Sequence, residues 1–548
     1  MKLVIVGGVA GGASAAARAR RLSESAEILV FERGPDLSFA NCGLPYYIGG
    51  EIEKRDKLLV TKPQTLKDRY RLDIRAGVEV VQIDRQAKRI TARRLADGER
   101  FEESYDALIL APGAAPLRPP IPGINLPGVF TLRDLRDMDR IKEVVDGGVD
   151  HAVIVGAGFI GVELAENFLR RGLRTTIVEL QDQVLPVLDP EMAAPIARAL
   201  RDRGAALVLG DSAEAFREVD GGLAIDLKSG QSLTAQLVVL GIGVRPENVL
   251  ATEAGLEVGP RGGIRVDDRM RTSDPSIYAV GDAVETFDFP DRRPTQVPLA
   301  GPANRQGRIA ADNVFGRDSR FRGAQATAIV GFFEHTAATT GKTERLLSRE
   351  GADHFKVYAH ANHHAGYYPG ATPMTIKLLA DSTSHKILGA QIVGKEGVDN
   401  RINVLAMAIQ AGMTVQDLQE VELAYAPQFG SAKDPVNMAG FIASNIAAGD
   451  YRQVHVEDWE GGLSSSAFLL DVRTPEEFEA GTIPGATSIP IEELRERLDD
   501  VPRDRPVVAF CQVGMRGYMA TLILQDAGVD AFNLGGGYNR YLLSHPKT

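Results

Sequence analysis

Cysteine is almost absent from this chain: two residues, Cys42 and Cys511, stand among 548. Two cysteines cannot build a disulfide framework, and so poor a chain fits a reducing cytoplasm. They lie too far apart in sequence to form a C-x-x-x-x-C redox pair. Positive charge is also in deficit. The net charge of -11 argues against a broad nucleic-acid-binding surface, although a local basic pocket stays open. No apolar run is long enough to span a membrane. The opening MKLVIVGGVAGG briefly resembles a leader peptide, but its apolar run is short and leads into a glycine turn followed by Arg18, Arg20 and Arg21. It reads better as a strand entering a nucleotide-binding turn. Short-period repeats, low-complexity tracts and coiled-coil heptads are missing too. With 44% hydrophobic and 25% charged residues, the composition is that of a soluble globular protein. Its length suggests about three to four domains of roughly 150 residues each.

Glycine turns are what the sequence does contain. Lys2 to Val6 reads as a buried parallel strand, GGVAGG follows, and an Ala-rich helix runs from Ala13 to Leu22. A second strand from Glu27 ends at Glu32, twenty residues past Gly12. This is the βαβ spacing for a dinucleotide, with glycines admitting a pyrophosphate, a helix N-terminus facing its charge and an acid at the ribose. Val9 replaces the middle glycine of G-x-G-x-x-G. An ordinary strand-turn-helix is the competing reading for the first turn alone. The pattern then repeats in full: the strand from His151, then Gly156-Ala-Gly158-Phe159-Ile160-Gly161, a helix, and a strand ending at Glu179. An acid there binds a 2'-hydroxyl and repels a 2'-phosphate, and Leu180-Gln-Asp-Gln offers no arginine. NADH is therefore expected over NADPH.

Two further segments complete the pattern. Leu108-Ile-Leu-Ala111-Pro112-Gly113 ends a strand in a tight turn, and a strand through Ile277-Tyr-Ala-Val ends on Gly281-Asp282. These four segments, in this order, resemble the pyridine nucleotide-disulfide oxidoreductases over about residues 1 to 446. The resemblance implies that FAD is bound at Gly7, Ala10, Gly11, Gly12, Glu32, Arg33, Asn41, Ala111, Pro112, Gly113, Gly281, Asp282, Ala283, Leu299, Ala300 and Phe429. Asp282 would hold the ribitol chain. It implies NADH at Gly156, Gly158, Phe159, Ile160, Gly161 and Glu179, with Gly243 also a cofactor position.

The segment SFANCGLPYYIGG, Ser38 to Gly50, resembles the active-site segment of the single-cysteine coenzyme A-disulfide reductases. A free thiol with a pKa near 8.5 is only about 3% thiolate at pH 7. Pro45 suits the first turn of a helix, and a helix N-terminus behind Cys42 is expected to lower its pKa. A lowering to about 6 would give roughly 90% thiolate. The partner sulfur would then belong to the substrate. A small buried core thiol is the bland alternative. In related NADH oxidases and peroxidases a histidine usually lies in the first glycine turn; Val9-Ala10-Gly11 has none. The resemblance assigns Arg18, Arg21, Ser38, Phe39 and Asn41 to coenzyme A, as bound substrate or prosthetic thiol. For the three arginines of this helix the plain alternative is a solvated face. The region of Tyr367, Tyr368, Tyr425 and Phe429 resembles the family's dimerisation domain. There two tyrosines approach the partner subunit's cysteine. They correspond to Tyr367 and Tyr425, with Tyr368 the alternative to Tyr367 and interface packing the bland reading. His363 and His364 lack a ligand cluster, so no metal is expected.

From about residue 453 the chain resembles a rhodanese domain: Asp471-Val-Arg473, Gly481-Thr482-Ile-Pro-Gly485 and Cys511-Gln-Val-Gly-Met-Arg516-Gly517. Successive backbone N–H groups in such a loop make an anion nest for a thiolate or persulfide at Cys511, with Arg516 adding a cation. Asp471 and Arg473 are expected to brace the fold by pairing. Thr482 stands where many members have histidine.

The expected fold class is α/β. It comprises an FAD domain (1–115 and 245–322), an NADH domain (116–244), an α+β dimerisation domain (323–446) and a C-terminal rhodanese domain (453–548). The expected protein is a cytoplasmic homodimer. It would use NADH and FAD to reduce small thiol-derived substrates, namely coenzyme A persulfide, polysulfide or coenzyme A disulfide, and have no nucleic-acid or membrane partner. Its rivals are an NADH oxidase or peroxidase with a sulfenic Cys42, and a sulfur carrier or redox sensor.

Overall fold

The computed structural model describes residues 1–545. It divides into two compact units, residues 1–182 with 203–326, and residues 183–202 with 327–545.

The first unit holds two parallel five-stranded sheets. In one, Lys2–Val6 lies between Glu27–Glu32 and Ala107–Leu110, with Ile277–Ala279 and Asp73–Ala76 at the edges. Leu3, Val4 and Ile5 are wholly buried. Both faces of this strand are covered, which is why it reads as a continuous apolar run rather than an alternating one. In the other sheet His151–Val155 lies between Arg174–Glu179 and Leu237–Leu240, with Ala206–Leu209 and Val129–Thr131 outermost. Each central strand ends in a glycine turn and a helix, Ala10–Leu22 in the first sheet and Phe159–Arg170 in the second.

The second unit has an antiparallel sheet of five strands, ordered Ala328–Phe332, His335–Gly341, Ile387–Gly394, Pro373–Asp381, His354–Asn362. The helices Val398–Ala411 and Pro435–Ala447 pack on it, as does Pro190–Asp202. A five-stranded parallel sheet follows, with Val507–Phe510 flanked by Phe468–Asp471 and Ala531–Leu534. The whole is an α/β protein with two Rossmann-like sheets, an antiparallel dimerisation-type sheet and a C-terminal parallel rhodanese-type sheet.

A buried ionic knot joins these parts of the second unit. Lys377, with 0% of its side chain exposed, donates to Asp189 at 2.8 Å, Glu191 at 2.5 Å and Glu344 at 2.6 Å. Tyr358 Oη donates to the same Glu191 at 2.7 Å. Burial opposes the lysine's charge, but Tyr358 and the three carboxylates outweigh it and hold the ammonium above the usual lysine range. Arg540, on the last helix, pairs with Glu457 and lies 5.2 Å over the Tyr358 ring. Removing one partner from such a knot typically costs about 3–5 kcal/mol.

Candidate functional site

The first glycine turn is built by close approach. Gly7 has φ +99°, and a Cβ there would fall 2.0 Å from Ala111 O. A Cβ on Gly12 would fall 1.9 Å from Gly7 O, and one on Gly161 in the second turn 2.1 Å from Gly156 O. Side chains are excluded at these points, leaving backbone N–H groups for a phosphate. The middle position makes no such demand. Val9 is the N-cap with φ -99°, and its counterpart Gly158 has φ -72°. A Cβ at Gly158 would meet nothing within 4 Å. Valine is therefore tolerated in the first turn.

The acids at the strand ends brace the turns. Glu32 accepts from Gly8 N and Gly34 N, each at 2.8 Å. Glu179 accepts from Ala157 N at 2.7 Å and Gln181 N at 2.9 Å. Each carboxylate ties its glycine turn to its strand. The open glycine backbone with an acid beside it fits a dinucleotide at both turns. Gly281 N donates to Gln306 Oε1 at 2.8 Å, and burial pushes the adjoining Asp282 carboxyl above its ordinary range. Ala283 is buried behind it; Leu299 is the N-cap of the helix opening at Ala300. Arg33 meets Glu247 at 2.7 Å, and Arg133 meets the same carboxylate at 2.6 Å. Ala111, Pro112 and Gly113 follow the strand Ala107–Leu110, and Glu247 N donates to Gly113 O at 3.0 Å. Gly243, exposed with φ +112°, precedes the strand Val244–Pro246.

Cys42 is exposed on the 3-10 turn Asn41–Gly43, followed directly by the short helix Leu44–Gly49 with Pro45 in its first turn. Ser38 N donates to Gly8 O at 2.9 Å, so the cysteine segment hangs from the first glycine turn. Ser38 itself has φ +49°, a conformation a non-glycine residue holds only when its surroundings impose it. Phe39 pairs with Leu59, and Asn41 Nδ2 donates to Arg133 O at 3.2 Å. The expected lowering of the thiol pKa is not found. Desolvation comes first, then the negative charges of Glu163 and Asp282; together they push Cys42 up from its ordinary value. The helix after it has six residues, too short a dipole to reverse them.

The arginines of the first helix have three different fates. Arg18 is held by Asp312 at 2.6 Å. Arg20 is buried and donates to the carbonyls of Ser23, Glu24, Ala26, Tyr70 and Arg71. It is a structural clamp, not part of a solvated face. Arg21 is exposed.

In the second unit Tyr367 and Tyr425, both exposed, share a hydroxyl–hydroxyl hydrogen bond of 2.7 Å. That bond raises Tyr425 above the ordinary phenol range. Tyr368 instead packs edge-on against His364. Phe429 is 74% exposed nearby in sequence.

Cys511 ends the strand Val507–Phe510 and is 1% exposed. Gly514 N donates to its Sγ at 3.2 Å. Arg516 is bidentate to Glu477 at 2.7 and 2.8 Å; that bond and the nearby Cys511 raise its pKa. Asp471 and Arg473 pair at 2.7 Å, as the sequence suggests, and Arg473 Nη1 reaches on to Gln512 Oε1 at 3.0 Å. Thr482 Oγ1 donates to Asp471 at 2.7 Å. The loop is fixed from behind: Tyr538 N donates to Cys511 O at 2.8 Å, and a Cβ on Gly537 would fall 2.3 Å from that oxygen.

Sequence reasoning did not single out Glu163, Gln512 or Gly537. Gln512 adjoins Cys511 in the chain, but only the fold brings Glu163 and Gly537 to the two cysteines.

Comparison with known proteins agrees with this geometry. Residues 1–307 match the pyridine nucleotide-disulphide oxidoreductase model, 327–434 that family's dimerisation domain, and 456–544 the rhodanese-like domain. A coenzyme A disulfide reductase of Staphylococcus aureus is 36% identical over 444 residues, covering 81% of this chain and 99% of the relative. The crystal structure of reduced Bacillus anthracis CoADR-RHD is 47% identical with a TM-score of 0.97, covering 100% of this chain and 98% of that one. A NAD-dependent persulfide reductase from A. fulgidus is 38% identical with a TM-score of 0.93, covering 99% of this chain and 100% of that one. The chain belongs to the pyridine nucleotide-disulphide oxidoreductase family, in the form that fuses the coenzyme A-disulfide-reductase type to a rhodanese domain. It is an NAD-dependent flavoprotein reductase of the disulfide and persulfide class.

Proposed function

We propose that this chain uses NADH to reduce coenzyme A persulfide, polysulfide or coenzyme A disulfide at Cys42, while Cys511 receives or carries sulfane sulfur. One observation carries the reading. Cys42 is exposed beside the first glycine turn, and the only other cysteine is buried in another compact unit. On this reading the sulfur that pairs with Cys42 comes from the substrate. Bound FAD supplies the electron transfer from NADH to sulfur. The glycine turns, Glu32, Glu179 and Asp282 hold the two dinucleotides. Arg21, with Ser38, Phe39 and Asn41, lines the approach of a coenzyme A nucleotide; Arg18 shares its charge with Asp312. The protein works as a homodimer, and Tyr367 and Tyr425 act toward the partner subunit's thiol. A phenol hydrogen-bonded to a second phenol can donate a proton to a leaving thiolate.

An anaerobic NADH assay across the three acceptors, with oxygen as a fourth arm, tests the reading. Cys42→Ser is expected to keep FAD and its reduction by NADH but to lose sulfur reduction at least about a hundredfold, the scale of losing a nucleophile. Cys511→Ser is expected to keep coenzyme A disulfide reduction and lose sulfur transfer from thiosulfate. Near-wild-type sulfur reduction in Cys42→Ser would overturn the proposal, as would oxygen consumption as fast as sulfur reduction.

A further inference from the structure

Glu163 lies on the helix Phe159–Arg170 and faces the short helix that follows Cys42. Tyr46 Oη donates to Glu163 Oε1 at 3.4 Å. The two helices are locked together: a Cβ on Gly49 would fall 1.8 Å from Asn167 Oδ1. Tyr46 is one helical turn beyond Cys42, so the carboxyl group is fixed relative to the thiol. A half-buried carboxylate usually recruits a cation. Among the described residues no lysine, arginine or histidine forms an ion pair with Glu163. The nearest basic group on its own helix, Arg170, is spent on Glu166 at 2.7 Å and Glu51 at 3.1 Å. The groups that face it are Tyr46 from the short helix, Glu166 from its own helix and Cys42 from the turn. Asp282 is a second acid facing the thiol. Burial first, and Glu166 after it, outweigh the Tyr46 hydrogen bond and lift Glu163 to about 7.

We propose that Glu163 governs the charge of Cys42. Its carboxyl is neutral when the sulfur is a thiolate, and ionised when the sulfur is a thiol or is capped as a disulfide or persulfide. Glu163 acts through Cys42 and not on the substrate, and the idea rests on Cys42 being the redox thiol. Two electrons from NADH break the S–S bond at Cys42. The substrate sulfur leaves as a thiolate or hydrosulfide, Sγ is left as a thiolate and the proton of NADH passes to solvent; Glu163 then takes a proton from solvent. When that thiolate attacks the next disulfide, a new S–S bond forms at Sγ and the other sulfur leaves as a thiolate. Glu163 then returns its proton. The carboxyl keeps the pocket near one negative charge through the cycle, without the cation such a site would otherwise need.

The test is the rate of Cys42 alkylation by iodoacetamide in the holoenzyme. It is followed by peptide mass spectrometry from about pH 5 to about pH 10, a span that brackets the Glu163 titration. The wild type is expected to show a break near pH 7, where Glu163 ionises and begins to oppose the thiolate, before the thiol's own inflection. Glu163→Gln is expected to lose the break and to be alkylated about tenfold faster at pH 8, because one of the charges that oppose the thiolate is gone. Tyr46→Phe removes the phenol donor and should move the break to higher pH. It also serves as the probe if Glu163→Gln does not fold. A break that survives in Glu163→Gln, or a Tyr46→Phe profile that superimposes on the wild type, overturns the proposal. Alkylation reads the thiol without turnover, so either failure leaves the role of Cys42 to be judged by Cys42→Ser.

Discussion

Glu179 braces its glycine turn, and under the proposed function it also selects the nucleotide. Its carboxylate holds Ala157 N and Gln181 N, and it occupies the position where an acid selects a ribose hydroxyl over a phosphate. Glu179→Ala is therefore expected to raise the KM for NADH about 10–100-fold, the scale of losing hydrogen bonds to a charged group at about 1.5–3 kcal/mol. It should also narrow the gap to NADPH, because repulsion of the 2'-phosphate goes with it. Steady-state kinetics with both nucleotides measure this. A wild type that prefers NADPH would refute the assignment. Cys42 teaches a related lesson. A proline in a helix's first turn is visible in the sequence, but the sign of the thiol's shift is set first by burial and then by the charges of Glu163 and Asp282. Those acids lie more than a hundred residues away, and their approach needs the finished fold.

At the scale of elements, the glycine turns were legible because their demands are local. A strand, a turn without side chains, a helix and an acid at fixed spacing leave little else to form. The sulfur loop was legible only on its own strand. Its rear support, Gly535-Gly536-Gly537, arrives from the far side of the last helix-strand pair, and nothing near Cys511 in sequence announces it. Gly537 has φ +59° and no room for a Cβ. Gly537→Ala must therefore push back the Cys511 carbonyl and disturb the Gly514 N–H that donates to Sγ. Thiosulfate sulfurtransferase activity is expected to fall at least about tenfold, a displacement of about 1.4 kcal/mol or more in the loop. Reduction of coenzyme A disulfide should stay within about twofold, a change too small to signal a lost interaction. Equal losses in the two assays would show that the loop and the flavin site are not independent.

Across the whole second unit, stability is tied to pH. Burial pushes His360 down to about 4 and His455, which also faces the charge of Lys356, to about 3. Glu344, Arg540 and Lys377 also face His455, and Arg540 and the Gly536 backbone face His360. Both folded values lie below the unfolded one. As pH falls below about 6.5, the unfolded chain takes protons that the folded chain refuses, and stability declines until the folded histidines titrate. The slope is about 1.4 kcal/mol per pH unit for each histidine, so about 2.8 kcal/mol per pH unit for the two between pH 6.5 and 4. The only tryptophan, Trp459, is buried in this unit and reports its urea midpoint by fluorescence. His455→Gln should halve the slope; a midpoint that does not move between pH 8 and pH 5 would count against the scheme. The helix Pro190–Asp202 adds a consequence for anyone cutting the chain apart. It stands in sequence amid the second nucleotide-binding region, yet it supplies Glu191 to the ionic knot of the other unit. A fragment begun at Thr327 would strand Lys377 with one acid instead of three. A fragment stopped near Asp450 would take Arg540 away from Tyr358. No single scissor point therefore frees the C-terminal module as a portable cassette, and grafting it onto another host would require that helix to travel with it.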